Sequence, residues 1–159
     1  MACNWVTAIA IDHSGNKWFG TYGGGVNCFD DASWTTYSSS NSGLADNRVW
    51  AIAIDASGNK WFGTHGGVSK FDGTTWTTYN SSNSGLAFNA VWAITIDASG
   101  NKWFGTYGGG VSKFDGATWT TYNASNSGLA HNAVRTIAID ASGNKWIGTD
   151  YGGVSKFHE

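Results

Sequence analysis

At 159 residues, with 13% charged side chains and a net charge of −2, the chain has the size of one domain. No basic cluster suits a nucleic-acid partner, and no apolar run of about 18 residues offers membrane insertion. Gly is abundant at 23 residues, Trp is frequent at ten, and Pro is absent.

The opening MACNWVTAIAIDHSG has no charged segment ahead of a long apolar core, so no signal peptide is expected in this chain. Asp12, Asp55, Asp97 and Asp140 then mark a register spaced by 43, 42 and 43 residues. The odd spacing comes from a glycine loop that is one residue shorter at 64–68 than at 21–26. A period in the low forties without a helical pattern predicts propeller blades or a β-solenoid. The units run over approximately 5–47, 48–89, 90–132 and 133–159.

Each unit parses into four short strands. In the second unit these are VWAIAID (49–55), KWFGT (60–64), GVSKFD (67–72) and TWTTYN (75–80). The turn 56–59 separates the first two, a glycine pair precedes the third, and an Asp-Gly turn precedes the fourth. Nearly continuous apolar character in the first two strands predicts burial on both sheet faces, as between stacked blades. Trp18, Trp61, Trp103 and Trp146 form one column in the second strand, and Trp34, Trp76 and Trp119 another in the fourth. Both columns are expected to pack between blades. The chain writes four first, second and third strands but three fourth strands, so the last blade is expected to lack its outer strand.

The segment GLADNRVWAIAIDASGNKWFGTHGGVSKFDG (43–73) resembles the two-component regulator propeller repeat. The shared pattern is Gly-Leu, Asn-x-Val, Asp, Gly-Asn-x-Trp-x-Gly-Thr, Gly-Gly and Phe-Asp-Gly, and all four units carry it. The resemblance implies an all-β fold, a β-propeller with four blade repeats per chain. It also implies an extracytoplasmic sensor region of a bacterial signalling protein, periplasmic or extracellular, that binds glycans or other ligands. Domains of that family usually carry many more repeats, and no kinase or DNA-binding segment is written here.

Variation between the units concentrates in two places. One is the approach to the first strand, with Cys3, Asp46, Phe88 and His131 in one column. Trp5, Arg48, Ala90 and Ala133 form a second column, and Thr7, Trp50, Trp92 and Arg135 a third. The other place is the glycine loop after the second strand, with Tyr22, His65, Tyr107 and the pair Asp150-Tyr151. The start of the first strand lies beside the end of the second, about 4.8 Å away, so both patches fall on one rim near the axis. The candidate ligand-binding set is therefore Trp5, Tyr22, Asp46, Arg48, Trp50, His65, Phe88, Trp92, Tyr107, His131, Arg135, Asp150 and Tyr151. Aromatic platforms beside hydrogen-bonding groups suit a glycan or another small flat-faced molecule. Drift at exposed loop positions is the plainer alternative.

Catalytic chemistry is thinly written, and no catalytic residue, metal site or cofactor is expected. Asp12, Asp30, Asp55, Asp72, Asp97, Asp115 and Asp140 sit in repeated turns, where hydrogen bonds to local amides are their expected task. DASGNKW matches the Asp-box of sialidase propellers only in part, and two arginines cannot make a triad. Facing carboxylates for glycoside hydrolysis are missing, since Asp46 and Asp150 belong to different blades. A streptogramin-type lyase, a metal-dependent propeller enzyme, is the enzymatic alternative, with His65 and His131 as its available histidines. A structural propeller fragment or engineered repeat without a ligand is another. Cys3 and Cys28 fit no metal spacing and are expected as free thiols.

The sequence also speaks to assembly. The inner strands carry Ile52, Ile54, Ile94 and Ile96, bulk that suits a wider ring than four blades. Two chains would give eight blades at about 45° each. The expected partner is therefore a second copy, in a closed two-fold homodimer.

Overall fold

The computed structural model describes residues 3–158, and these are all strand, turn and loop. The first sheet is β1 (Val6–Ile11), β2 (Lys17–Thr21), β3 (Val26–Phe29) and β4 (Trp34–Tyr37). The second is β5 (Val49–Ile54), β6 (Lys60–Thr64), β7 (Gly67–Phe71) and β8 (Trp76–Tyr79). The third is β9 (Val91–Ile96), β10 (Lys102–Thr106), β11 (Val111–Phe114) and β12 (Trp119–Tyr122). The last holds three strands, β13 (Val134–Ile139), β14 (Lys145–Thr149) and β15 (Gly153–Phe157). All are antiparallel meanders in chain order, the blades of a propeller, and the last blade has no outer strand among the described residues.

The first strands line up side by side, β1 on β5, β5 on β9 and β9 on β13, so each blade packs face to face on the next. Three apolar cores fill the three junctions. Between the first two blades lie Trp18, Val26, Leu44, Val49, Phe62 and Phe71. The same columns fill the second junction, with Trp61 and Phe104, and the third, with Trp103 and Ile147. The glycine in KWFGT lets the inner strands approach closely. A Cβ on Gly20, Gly63 or Gly105 would stand 2.6–2.9 Å from the Val Cγ1 of the following blade.

A polar lock repeats beside each core. Asp55 Oδ1 accepts the Ser57 and Asn59 amides, and its Oδ2 accepts the Trp61 indole N–H at 2.9 Å. Lys102 of the next blade then lies 4.0 Å from Asp55 and 5.2 Å from the Trp61 ring centre. Lys60 does the same to Asp12, at 3.4 Å, and to Trp18. Lys145 sits 4.6 Å over Trp103.

Among the described residues nothing packs on the two end faces. Trp146 is 42% exposed where Trp103 is 0%, and Val154 is 67% exposed where Val111 is 0%. At the other end Ile9 and Ile11 are each 64% exposed. The expectation that every Trp of the two columns packs between blades therefore fails at the ends, where Trp146 and Trp34 face solvent. Lys17, first of the lysine column, pairs with Asp31 of its own blade.

Candidate functional site

The rim predicted to vary is built from one backbone device used four times. Val49 pairs with Thr64 and Ala51 with Gly63, so Trp50 is the extra residue of a β-bulge. Trp92 and Arg135 occupy the same place in the third and fourth blades, and Thr7 in the first. A bulge takes a residue out of the ladder and re-aims its side chain. A second device brings the glycine loop alongside. The N–H groups of Tyr22, His65, Tyr107 and Asp150 donate to the carbonyls of Trp5, Arg48, Ala90 and Ala133 at 2.8–3.1 Å. The variable columns thus meet on one rim.

Seven of the predicted residues converge further. Tyr22, Arg48, Trp50, His65, Trp92, Tyr107 and Arg135, with Ala90, line an open hollow of about 320 Å³. Rings run around it in sequence. Tyr22 lies 5.2 Å from Trp50, Trp50 lies 6.5 Å edge-on from Trp92, and Trp92 lies 4.4 Å from Tyr107. The Arg135 guanidinium stacks 3.6 Å over Trp92, a cation–π geometry. The Trp50 indole N–H is buried with no hydrogen-bond partner among the described residues.

Both acids of the set are engaged by arginine. Asp46 accepts two bonds from Arg48, at 3.0 and 2.9 Å, and Asp150 accepts the Arg135 Nε–H at 2.7 Å. The guanidinium in each pair holds its carboxyl below the usual carboxylate range. These pairs fix the arginine heads at the rim and leave Arg135 with only Nε committed to Asp150.

Besides these two acids, four predicted residues lie away from the hollow's wall. Trp5 is exposed and meets the Tyr22 ring at a tilt, 4.7 Å between centres. Phe88 shares a neighbouring hollow of about 350 Å³ with His65 and Asn89. His131 accepts the Ala133 amide on Nδ1 and meets Tyr151 edge-on, and Tyr151 is 97% exposed. His65 and His131 therefore do not face one another across a shared site. Among the described residues no group of three or more His, Cys, Asp or Glu converges. Cys3 and Cys28 are both free thiols.

Sequence reasoning missed the bulge and the unpartnered indole of Trp50. A signal for the bulge was present. Val49, Ile52 and Ile54 share one core, a spacing of three and then two, where an unbroken strand keeps a period of two.

The family profile described as two component regulator propeller matches residues 43–66. That stretch is similar to the two-component regulator propeller repeat. Its bounds cover the bulged strand, the Asp turn and the second strand of the second blade, and the resemblance read from the sequence holds. None of the curated proteins matches the chain. Among solved structures, the extracellular domain of a hybrid two-component system from B. thetaiotaomicron superposes with a TM-score of 0.87 at 24% identity. It covers 99% of this chain and 22% of that one. A second such domain from the same organism gives 0.83 at 21% identity, covering 98% and 24%. Virginiamycin B lyase from Staphylococcus aureus gives 0.69 at 18% identity, covering 98% and 56%. The propeller repeats here span less than a quarter of the two-component domains and just over half of the lyase. At these identities the likeness establishes the propeller fold.

Proposed function

We propose that this chain is a non-catalytic propeller binding module whose rim hollow takes a small molecule or glycan. The observation that carries the reading is the convergence of Tyr22, Trp50, Trp92 and Tyr107 around one hollow, with the Arg48 and Arg135 side chains beside them. Aromatic rings grip the flat face of a sugar, and the Arg135 guanidinium, with only Nε committed to Asp150, donates to its oxygens. The similarity to extracellular two-component domains supports a periplasmic or extracellular setting. A glycan array followed by a tryptophan-fluorescence titration tests the reading. Trp92→Ala is expected to weaken a detected ligand about tenfold or more, the equivalent of one lost stacking contact of roughly 1.4 kcal/mol. Unchanged affinity in both Trp50→Ala and Trp92→Ala overturns it.

A second reading, compatible with the first, concerns self-association. The exposed face of the last blade presents Trp146 and Val154, the columns that fill each internal junction from one side. The exposed face of the first blade presents Ile9 and Ile11, the columns that fill it from the other. The module is proposed to close as a homodimer of eight blades, the last blade of each copy on the first blade of its partner. Light scattering decides between this and a folded monomer of 16.9 kDa.

A further inference from the structure

We infer that the rim ligand is a linear oligosaccharide of at least two units, the first held in the hollow at Trp92 and the second in the hollow at Phe88. The inference rests on the binding reading proposed above and adds the size and shape of what is bound. The two hollows adjoin. One is about 320 Å³ and the other about 350 Å³, and His65 and Ala90 stand in the walls of both. Phe88, Asn89, Ala87 and Ser81 complete the second. Each alone is at the lower end of the roughly 300–1,000 Å³ of ligand sites, and the two in a row make an elongated groove.

The second hollow has its own platform and its own donor. The line of rings runs on into it, with Trp92 4.4 Å from Tyr107 and Tyr107 6.4 Å from Phe88. Phe88 is 42% exposed, yet its ring has a fixed seat on the glycine loop, where a Cβ on Gly108 would stand 3.6 Å from Phe88 Cε2. An exposed ring with a fixed seat suits the flat face of a sugar. Asn89 Oδ1 accepts the Ser81 amide at 2.8 Å, which orients the side chain, and its Nδ2 makes no hydrogen bond among the described residues. Ring and N–H donor thus recur here as Trp92 and Arg135 provide them in the first hollow.

The residues that shape this passage differ from those at the junctions on either side. In the first junction Arg48 takes the place of Ala90 and grips Asp46, in the place of Phe88, at 3.0 and 2.9 Å. In the third, Tyr107 takes the place of His65, and His131 that of Phe88. A ligand of one ring would use the first hollow and leave Phe88 and Asn89 idle. An extended peptide is disfavoured, because the His65 and Tyr107 amides are already given to the Arg48 and Ala90 carbonyls and offer it no ladder.

The test titrates the full chain with cello-, chito- and galacturonate oligosaccharides of one to four units, read by tryptophan fluorescence and calorimetry. In the series that binds, the disaccharide is expected to bind at least about tenfold more tightly than the monosaccharide, with little gain from later units. Phe88→Ala is expected to erase that gain and leave the monosaccharide's affinity unchanged, which also shows the variant to be folded. Trp92→Ala weakens both. Equal affinity for one unit and two overturns the inference, as does a gain that survives Phe88→Ala. Monosaccharide binding that still depends on Trp92 then leaves the broader binding reading standing. Binding by no member of the three series overturns the inference too, and the glycan array alone then decides the broader reading.

Discussion

Four aspartates carry the local order of this molecule, and each does more than the turn it sits in requires. Sequence reasoning read Asp12, Asp55, Asp97 and Asp140 as acceptors for nearby amides, and the amides two and four residues on do bond to Oδ1. The indole six residues on, which takes Oδ2, was not legible, because turn patterns say nothing of a side chain already inside the next strand. Asp97→Ala would strand the Trp103 N–H in a fully buried position, at a cost of about 1–3 kcal/mol. In a monomer, where Trp146 is half exposed, the same change at Asp140 is expected to cost clearly less, because the indole N–H can turn to water; in the closed dimer the two costs should match. Urea unfolding of the two variants measures the difference. The bonds also set the acid response. The Trp146 indole and then Asn144 hold Asp140 at about 2, against an ordinary 3.8, and Thr118 holds Asp115 at about 2. At Asp12 burial pushes the carboxyl up, but Trp18, Asn16 and Lys60 together outweigh it and hold the group low. Depressed carboxyls bind protons more readily in the unfolded chain. Their contribution is present above pH 3.8 and is lost as pH falls through the folded values. The urea midpoint should be nearly flat down to about pH 5 and fall steeply between about pH 4 and 2. A midpoint unchanged at pH 2.5 would contradict these assignments.

The elements themselves were largely legible. KWFGT matches β6 residue for residue, and the Asp-Gly turn before β8 lies where the hairpin signal put it. Alternation and turn chemistry are local, so one sequence suffices to read them. The bulge was not read, because it shows only as a broken period among residues whose core partners lie in another blade. The glycine of KWFGT hid its reason too. Its place in a strand is explained by the following blade, where a Cβ on Gly105 would lie 2.6 Å from Val134 Cγ1 and 3.1 Å from Ala93 Cβ. Gly105→Ala is therefore expected to overpack the junction and cost about 1–3 kcal/mol in denaturant unfolding, without loss of β-sheet circular dichroism. An Ala variant as stable as the parent would mean the blades can separate freely.

At the scale of the whole molecule, blade number per chain followed from the period, while the seven residues that share the hollow could not be separated from Trp5, Asp46, Phe88, His131, Asp150 and Tyr151. Column position fixes a rim but not the direction in which each side chain leaves it. The proposed homodimer turns on the end faces. In a closed ring Lys17 would leave Asp31 and take the place over Trp146 and Asp140 that Lys145 takes over Trp103. Val154→Glu puts a charge on the exposed end face and is expected to shift the molar mass seen by sedimentation equilibrium from dimer toward monomer, while Lys17→Ala weakens the dimer more modestly. If the unmodified chain sediments as a folded monomer at about micromolar concentration, ring closure by two copies is wrong. A dimer indifferent to Val154→Glu would mean that the copies meet elsewhere.

The bulge at Thr7, Trp50, Trp92 and Arg135 separates two kinds of information in one chain. A residue held outside the ladder leaves the pairs on either side of it in register, so its identity can change while the frame stays, although Thr7 also donates its hydroxyl to the Gly20 and Val49 carbonyls. Copying a unit therefore supplies a new rim letter that selection can rewrite at once, without waiting for compensating changes in the core. Randomising those four codons together should yield a library in which most members still fold and nearly every member presents a different face.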